Sequence, residues 1–292
     1  MTQPVFRFAP SPTGGLHLGS AYSALLNVEL AARWGGRFLL RIEDVDVTRC
    51  HPEFEAGIYE DLTWLGIDWE RPARRQSEHF SEYRAAFEPL RSAGLAYPCF
   101  CSRTEIAEAV TRRETAAGEA WPRDPDGAPL YPGTCRALPP EAVARRVAAG
   151  ERHAWRLDIT AARASAGPDR TYVRFDLEGA EEVVRTDPAR WGDVVIVRKE
   201  TPTSYHLSVV LDDALQGVTH VVRGTDIEPA TDLQRLLQAL LGLPAPRYHH
   251  HPLVRDEGGL KLSKSARSES LAAQRRQGVS AADVRRRLGF ES

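Results

Sequence analysis

Four elements in quick succession constrain this chain more than anything else in it. Val5 to Phe8 reads as a short strand, and Leu18, Tyr22, Leu25, Leu26 and Leu30 fall at helical spacing between Leu16 and about Arg33. Gly35-Gly36 stops that helix, and Arg37 to Glu43 forms a second apolar run. Strand, loop, helix and strand within about forty residues make a βαβ unit, whose strands run parallel with the helix on one face. The loop itself, FAPSPTGGLHLGS, delivers the chain tightly to a helix start. Unpaired N–H groups and roughly half a positive charge gather there, so the loop predicts a phosphate-type anion. Neither GxxxxGK[ST] nor GxGxxG is present, which excludes the usual P-loop and argues against a dinucleotide fold.

The pattern returns later. Asp193–Val197 reads as a strand, Tyr205–Ala214 as a helix and Val218–Arg223 as a strand, followed by a Thr225-x-x-Glu228 capping box and the helix Asp232–Leu241. The predicted architecture is α/β. Residues 1–92 and 193–265 form the two halves of one Rossmann-like parallel sheet, residues 93–192 are inserted between them as an α+β subdomain, and residues 266–292 make a short helical tail. Strand-like runs at His153–Ile159 and Tyr172–Asp176 belong to the insertion, and Tyr97 to about Pro140 reads as an irregular Pro/Gly-rich stretch pinned by something.

Composition excludes several classes. The net charge is −2, so nucleic acid must be met by a local patch, for which residues 266–292, with six arginines against three acids, are the candidate. No basic segment precedes an apolar stretch at the N-terminus and no run approaches membrane-spanning length, so the expectation is a cytoplasmic protein without membrane contact. Four cysteines are too few and too unevenly placed for a secreted disulfide framework. Cys99, Cys101 and Cys135 instead offer soft donors for zinc, which takes four, and His153 is one candidate for the remaining position. Cys50 is a bystander. Glu43, Asp44 and Asp46 do not make a calcium loop, because Arg49 stands where such a loop requires glycine. Consecutive histidines 249–251 on a strand face alternate sides and are read as structural.

Near the far end, DEGGLKLSKSARS places Lys261 and Lys264 in a polar loop after a Gly-Gly turn, suited to a charge that develops on a transferring phosphoryl group. PSPTGGLHLGS and KLSKS together resemble the two signature motifs of class I aminoacyl-tRNA synthetases, HIGH and KMSKS, with Ser20 replacing the second histidine and Leu262 the methionine. With RIEDVD and VVRGTD, the resemblance narrows to the glutamyl-tRNA synthetase group and extends over essentially the whole chain. It implies ligase activity: attack of the glutamate carboxylate on the α-phosphorus of ATP, with Mg²⁺ bridging phosphates. His17, Gly19, Ser20, Lys261 and Lys264 would bind ATP, with His17 and Lys264 catalytic; Arg7, Ala9, Ser11, Glu43, Tyr205 and Arg223 would hold glutamate. The resemblance also supplies Tyr131, four residues before Cys135, as the fourth donor to one structural zinc.

Only 28 residues follow Lys264, below the roughly 50 of an independent domain. Members of the group that read an anticodon do so with a large domain located there. The expected kinship is therefore with the truncated branch, which moves glutamate onto queuosine in the anticodon loop of tRNA(Asp), acting as a monomer. Backbone contacts to that tRNA are expected from the insertion and from the arginines at 275, 276 and 285–287. Rival readings are a synthetase fragment charging the acceptor end of tRNA and a non-catalytic module that binds tRNA or glutamate.

Overall fold

The computed structural model describes residues 3–167, 170–254 and 269–290. In chain order the elements are β1 (Val5–Phe8), α1 (Leu18–Arg33), β2 (Arg37–Ile42), α2 (Pro52–Trp64), β3 (Glu70–Arg75), α3 (Phe80–Ser92), β4 (Ala96–Cys99), α4 (Arg103–Ala117), α5 (Pro140–Ala148) and β5 (Ala154–Leu157). They continue with α6 (Ile159–Ala166), β6 (Thr171–Phe175), β7 (Glu181–Arg185), β8 (Val195–Val197), α7 (Tyr205–Leu215), β9 (His220–Gly224), α8 (Ala230–Leu240), β10 (Arg247–His251), α9 (Leu271–Arg276) and α10 (Ala281–Arg287).

The βαβ unit forms as expected: β1 pairs in parallel with β2, with Arg7 opposite Leu39, while Leu25 and Leu30 of α1 bury against the sheet. The turn between α1 and β2 is tight, since a Cβ on Gly36 would lie 2.6 Å from the Pro4 carbonyl oxygen. Seven strands run in the order β3-β2-β1-β9-β10-β6-β7, all parallel up to β6, with β7 antiparallel at the edge. The chain order reverses between β1 and β9, and the crevice at the carboxyl ends of strands at such a point is where α/β sheets bind ligands.

Sheet membership differs from the sequence reading in two places. Tyr172–Asp176, expected in the insertion, instead yields β6, which pairs with β10 through Tyr248 opposite Arg174. Its buried aromatic residues explain this: Phe175 packs against Trp34 and His220, and Tyr172 against Tyr248, so the strand's apolar contacts lie with the main sheet. Asp193–Val197, expected to begin the second half of the parallel sheet, gives β8, which joins β4 and β5 in a separate antiparallel sheet. Asp193 pins it there by accepting from Ile159 N–H (3.0 Å), Tyr97 Oη (2.6 Å) and Arg136 Nη1 (2.8 Å).

Three local expectations also change. The stretch read as irregular contains α4, started by a Ser102–Glu105 capping box that the sequence reading passed over. Thr225-x-x-Glu228 makes a 3₁₀ turn, Thr225–Ile227, without side-chain capping, and α8 begins at Ala230 after Pro229. Glu70–Arg75 is a strand despite its charge, since its partner β2 supplies the burial.

Beneath the crevice lies a largely buried charged cluster. Arg41 is fully buried and donates to Asp213 Oδ1 (2.7 Å) and Glu43 Oε1 (3.1 Å); Asp212 receives Arg74 Nε, Gln76 Nε2 and Tyr83 Oη, each at 2.8 Å. Replacing one partner of such a cluster leaves the others desolvated and uncompensated, so Arg41→Met should lower unfolding stability by about 3–5 kcal/mol. Urea unfolding measures this, and a loss below about 1 kcal/mol would show that water reaches the cluster.

Candidate active site

The crevice holds a cavity of about 360 Å³. Arg7, Ala9 and Ser11 reach it from the end of β1, and His17, Gly19 and Ser20 from the loop and first turn of α1. Glu43 comes from the end of β2, Tyr205 from the start of α7 and Arg223 from β9. The structure thus brings together every described residue that the sequence assigned to ATP or glutamate. Lys261 and Lys264 lie outside the described residues. The chain on either side of them is placed: Leu253 and Val254 line the cavity, while Ser270 bridges His17 and Leu271 N–H donates to the Leu16 carbonyl at 2.8 Å.

His17 is the N-cap of α1. Its Nδ1 accepts from Gly19 N–H (3.1 Å) and Ser20 N–H (3.3 Å), so the ring itself takes two of the donors that a phosphate was expected to meet. An accepting Nδ1 places the proton of the neutral ring on Nε2.

The charges of the pocket are held from behind. Arg7 donates Nε–H to Asp213 Oδ1 at 3.2 Å, and both side chains are nearly buried. Burial raises the Asp213 carboxyl, but Arg7 and Arg41 outweigh it and hold that carboxyl below its usual range. At Glu43 the balance reverses: burial lifts the carboxyl above its ordinary value against the pull of Arg41 and Arg7. A carboxylate so short of compensation is suited to a cationic ligand. Gly224 closes the floor, since a Cβ there would sit 2.5 Å from Asp226 Oδ1 and 3.0 Å from Leu253 Cδ2.

Tyr205, Asp226 and Ile227 also line a second cavity of about 730 Å³, bounded by Arg103 of α4, Tyr131, Arg156 and Trp191. Reading by sequence missed the groups behind the site, Arg41 and Asp213. One signal was present: Arg41 is a charged residue in the interior of an apolar strand, two positions before Glu43 and so on its face.

The cysteines converge as expected. Sγ atoms of Cys99, Cys101 and Cys135 all lie within 4.8 Å of one another. Tetrahedral zinc with sulfur at about 2.3 Å wants sulfurs roughly 3.8 Å apart, so the trio fits. Tyr131 Oη stands 3.4 Å from Cys101 Sγ and accepts from Cys135 N–H at 2.8 Å. His153 turns its Nδ1 to the Glu151 carbonyl at 2.9 Å instead. Donors face two of the sulfurs: Arg156 Nε donates to Cys99 Sγ and Phe100 N–H to Cys135 Sγ, both at 3.3 Å. Hydrogen bonding from Cys99, ahead of that from Tyr131, brings Cys135 down to about 6, while Cys99, as its donor and by burial, goes up to about 12. Burial and then the cysteines push the Tyr131 phenol up, so a cation is needed to make it a ligand.

In the tail, Arg275 is paired with Glu60 (3.1 Å) beside Trp64, Arg285 donates to the Leu65 carbonyl (3.3 Å), and Arg286 pairs with Asp283. Among the described residues, no helix is long and apolar enough to cross a membrane.

Residues 4–288 match the family described as tRNA synthetases class I (E and Q), catalytic domain. A protein from Rhodobacter capsulatus called glutamyl-Q tRNA(Asp) synthetase is 47% identical over 98% of this chain and 100% of its own length. Glutamate–tRNA ligase 2 of Nitrosococcus oceani is 42% identical over 93% of this chain, which spans only 56% of that relative. Among solved structures, the glutamate-tRNA synthetase of Elizabethkingia anophelis superposes with a TM-score of 0.76 at 28% identity, covering 96% of this chain and 60% of that one. The sheet with its reversal of strand order, the pocket at that reversal and these matches together show that the chain belongs to the class I tRNA synthetase (E and Q) family of ligases, and groups within it with the glutamyl-Q tRNA(Asp) synthetases.

Proposed function

We propose that this chain activates L-glutamate with ATP and Mg²⁺, without tRNA, and transfers it to queuosine in the anticodon loop of tRNA(Asp). The observation that carries the first half is the meeting of two arginines, Arg7 and Arg223, with one poorly compensated acid, Glu43, beside the start of α1. That set matches an amino acid with two carboxylates and one ammonium. The full-length likeness to the Rhodobacter protein supports the acceptor.

In activation, a glutamate carboxylate oxygen forms a bond to the α-phosphorus while the bond from that phosphorus to the pyrophosphate oxygen breaks, and pyrophosphate leaves with the electron pair. Arg7, Ala9, Ser11, Tyr205 and Arg223 orient the amino acid, with Glu43 on its ammonium; the arginine forks suit carboxylates better than a lysine would. His17, through Nε2–H, and Gly19 and Ser20 of the helix start face ATP, and Lys261 and Lys264 meet the leaving pyrophosphate. In transfer, a hydroxyl of the queuosine cyclopentenediol attacks the glutamyl carbonyl carbon, the ester forms, the carbonyl–phosphate bond breaks, and AMP departs with the hydroxyl proton. The second cavity, sharing Tyr205 with the first, supports approach of a base from that side. A single zinc held by Cys99, Cys101, Cys135 and Tyr131 would supply structure alone, fixing the insertion, which we take as residues 93–192 with its return to the main sheet at β6 and β7. We take the enzyme to act as a monomer in the cytoplasm, where its proposed substrates occur.

Glutamate-dependent ATP–pyrophosphate exchange in the absence of tRNA tests activation; no exchange from clean protein overturns it. Labelled glutamate should then reach tRNA(Asp) carrying queuosine and not the same tRNA lacking it. Equal labelling of both, or labelling of tRNA(Glu), would favour a synthetase acting at the acceptor end.

The kcat/KM for glutamate should fall on the acid side with a midpoint above the ordinary carboxylate value, because Glu43 takes a proton as pH drops through its raised pKa and no longer balances the ammonium. Glu43→Gln should remove that limb along with most activity.

Cys135→Ser should lose bound zinc, measured by atomic emission, and impair transfer more than exchange. An equal fall in both would give the cluster a global role.

A further inference from the structure

Three histidines in a row, 249–251, are not equivalent. On β10, His250 stands in register opposite Arg223 of β9, so the two side chains share one face of the sheet. Its neighbours point the other way, His249 to the Phe175 carbonyl at 2.9 Å and His251 against the ring of Tyr22. On the shared face, Arg223 Nη2 donates to Thr231 Oγ1 at 2.8 Å, Thr231 Oγ1 lies 3.2 Å from His250 Nε2, and Arg223 Nε–H points to the same Nε2 at 3.4 Å. Thr231 is fully buried, and the His250 side chain is 2% exposed.

We infer that Thr231 and His250 are positioning residues that lock the Arg223 guanidinium in the one orientation able to receive a substrate carboxylate as a fork. This rests on the proposed assignment of Arg223 to glutamate. The donor count supports it. Of five guanidinium N–H groups, Nε–H goes to His250, one on Nη2 to Thr231 and one on Nη1 to Tyr205 Oη at 3.5 Å. One N–H remains on each Nη, the pair that grips both oxygens of a carboxylate. Because Thr231 Oγ1 accepts from Arg223, its own hydrogen is left for His250 Nε2. With Nε2 accepting, the neutral ring carries its proton on Nδ1, which faces Glu228 Oε1 at 3.9 Å, beyond hydrogen-bond reach. Burial, reinforced by Arg223, favours that state by holding the imidazole far below its ordinary value.

Steady-state exchange kinetics on five variants test this. Thr231→Val keeps the shape and removes the acceptor, and should raise KM for glutamate by about tenfold or more, the loss of one charge-assisted hydrogen bond, while KM for ATP stays within about twofold. Thr231→Ser should restore glutamate KM. His250→Phe should raise it in the same selective way, and His250→Gln, which retains an acceptor, less. Arg223→Gln is the reference and should raise glutamate KM most. Unchanged glutamate KM in Thr231→Val and His250→Phe, with Arg223→Gln impaired, overturns the positioning role. A parallel rise in ATP KM overturns it too, because it signals general disorder. Unaltered glutamate KM in Arg223→Gln instead removes the assignment of Arg223 itself, and the positioning role falls with it.

Discussion

The fully buried guanidinium of Arg41 is the fixed point from which the proposed glutamate site is built. It binds Asp213 and Glu43 at once, and Asp213 in turn holds Arg7, so two pocket residues from different strands are referenced to one central cation. Asp212, next in sequence to Asp213, ties the same helix α7 to β3 and α3 through Arg74 and Tyr83. Buried ionic clusters rarely stabilise a fold relative to well-packed apolar side chains. What this one does is hold charges where they do not relax. An arginine already committed through Nε to Asp213 keeps its remaining donors in a fixed plane, and an acid touched by only part of the cluster keeps its appetite for a cation.

The loop before α1 works on the same plan. A helix start offers several N–H donors, and an anion could take them all. His17 takes two of them through Nδ1, which leaves the proton of its neutral ring on Nε2. The loop is also braced from the far end of the chain: Ser270 and Leu271 pair with His17 and Leu16. The chain that returns at Ser270 is thus stitched to the histidine loop, so residues from the two ends of the sequence meet beside one cavity.

The lining of the cavity was legible because its residues sit in short motifs at strand ends: Arg7 before the loop, Glu43 after β2, Arg223 near the end of β9. The groups that orient them were not. Asp213 reads as an ordinary polar residue of α7, Thr231 as part of a helix start and His250 as one of three identical neighbours, and only register reveals that the middle one faces Arg223. Sheet membership failed for the same reason. β6 and β8 look alike as isolated strands, and their different destinations depend on long-range partners, Tyr248 for one and the buried Asp193 contacts for the other. Non-local pairing leaves little trace in local composition.

Two cavities joined at Tyr205 separate the proposed reaction in space, and the cysteine cluster belongs to one of them. Tyr131 and Arg156, which touch the cysteines, line the larger cavity and not the smaller. Arg156 bonds both Cys99 Sγ and the Asp193 carbonyl, and Asp193 anchors β8. From β8 the chain runs to Arg198, paired with Asp46 at 3.2 Å, and to Lys199, which donates to the Phe100 carbonyl at 2.6 Å between two of the cysteines. Strain or disorder at the cluster therefore reaches the wall of the larger cavity directly. The smaller cavity shares Tyr205, Asp226 and Ile227 with it, but its Arg7 and Glu43 are referenced to Arg41 on the main sheet. An arrangement of this kind holds the charges proposed to receive glutamate apart from the wall proposed to meet the acceptor.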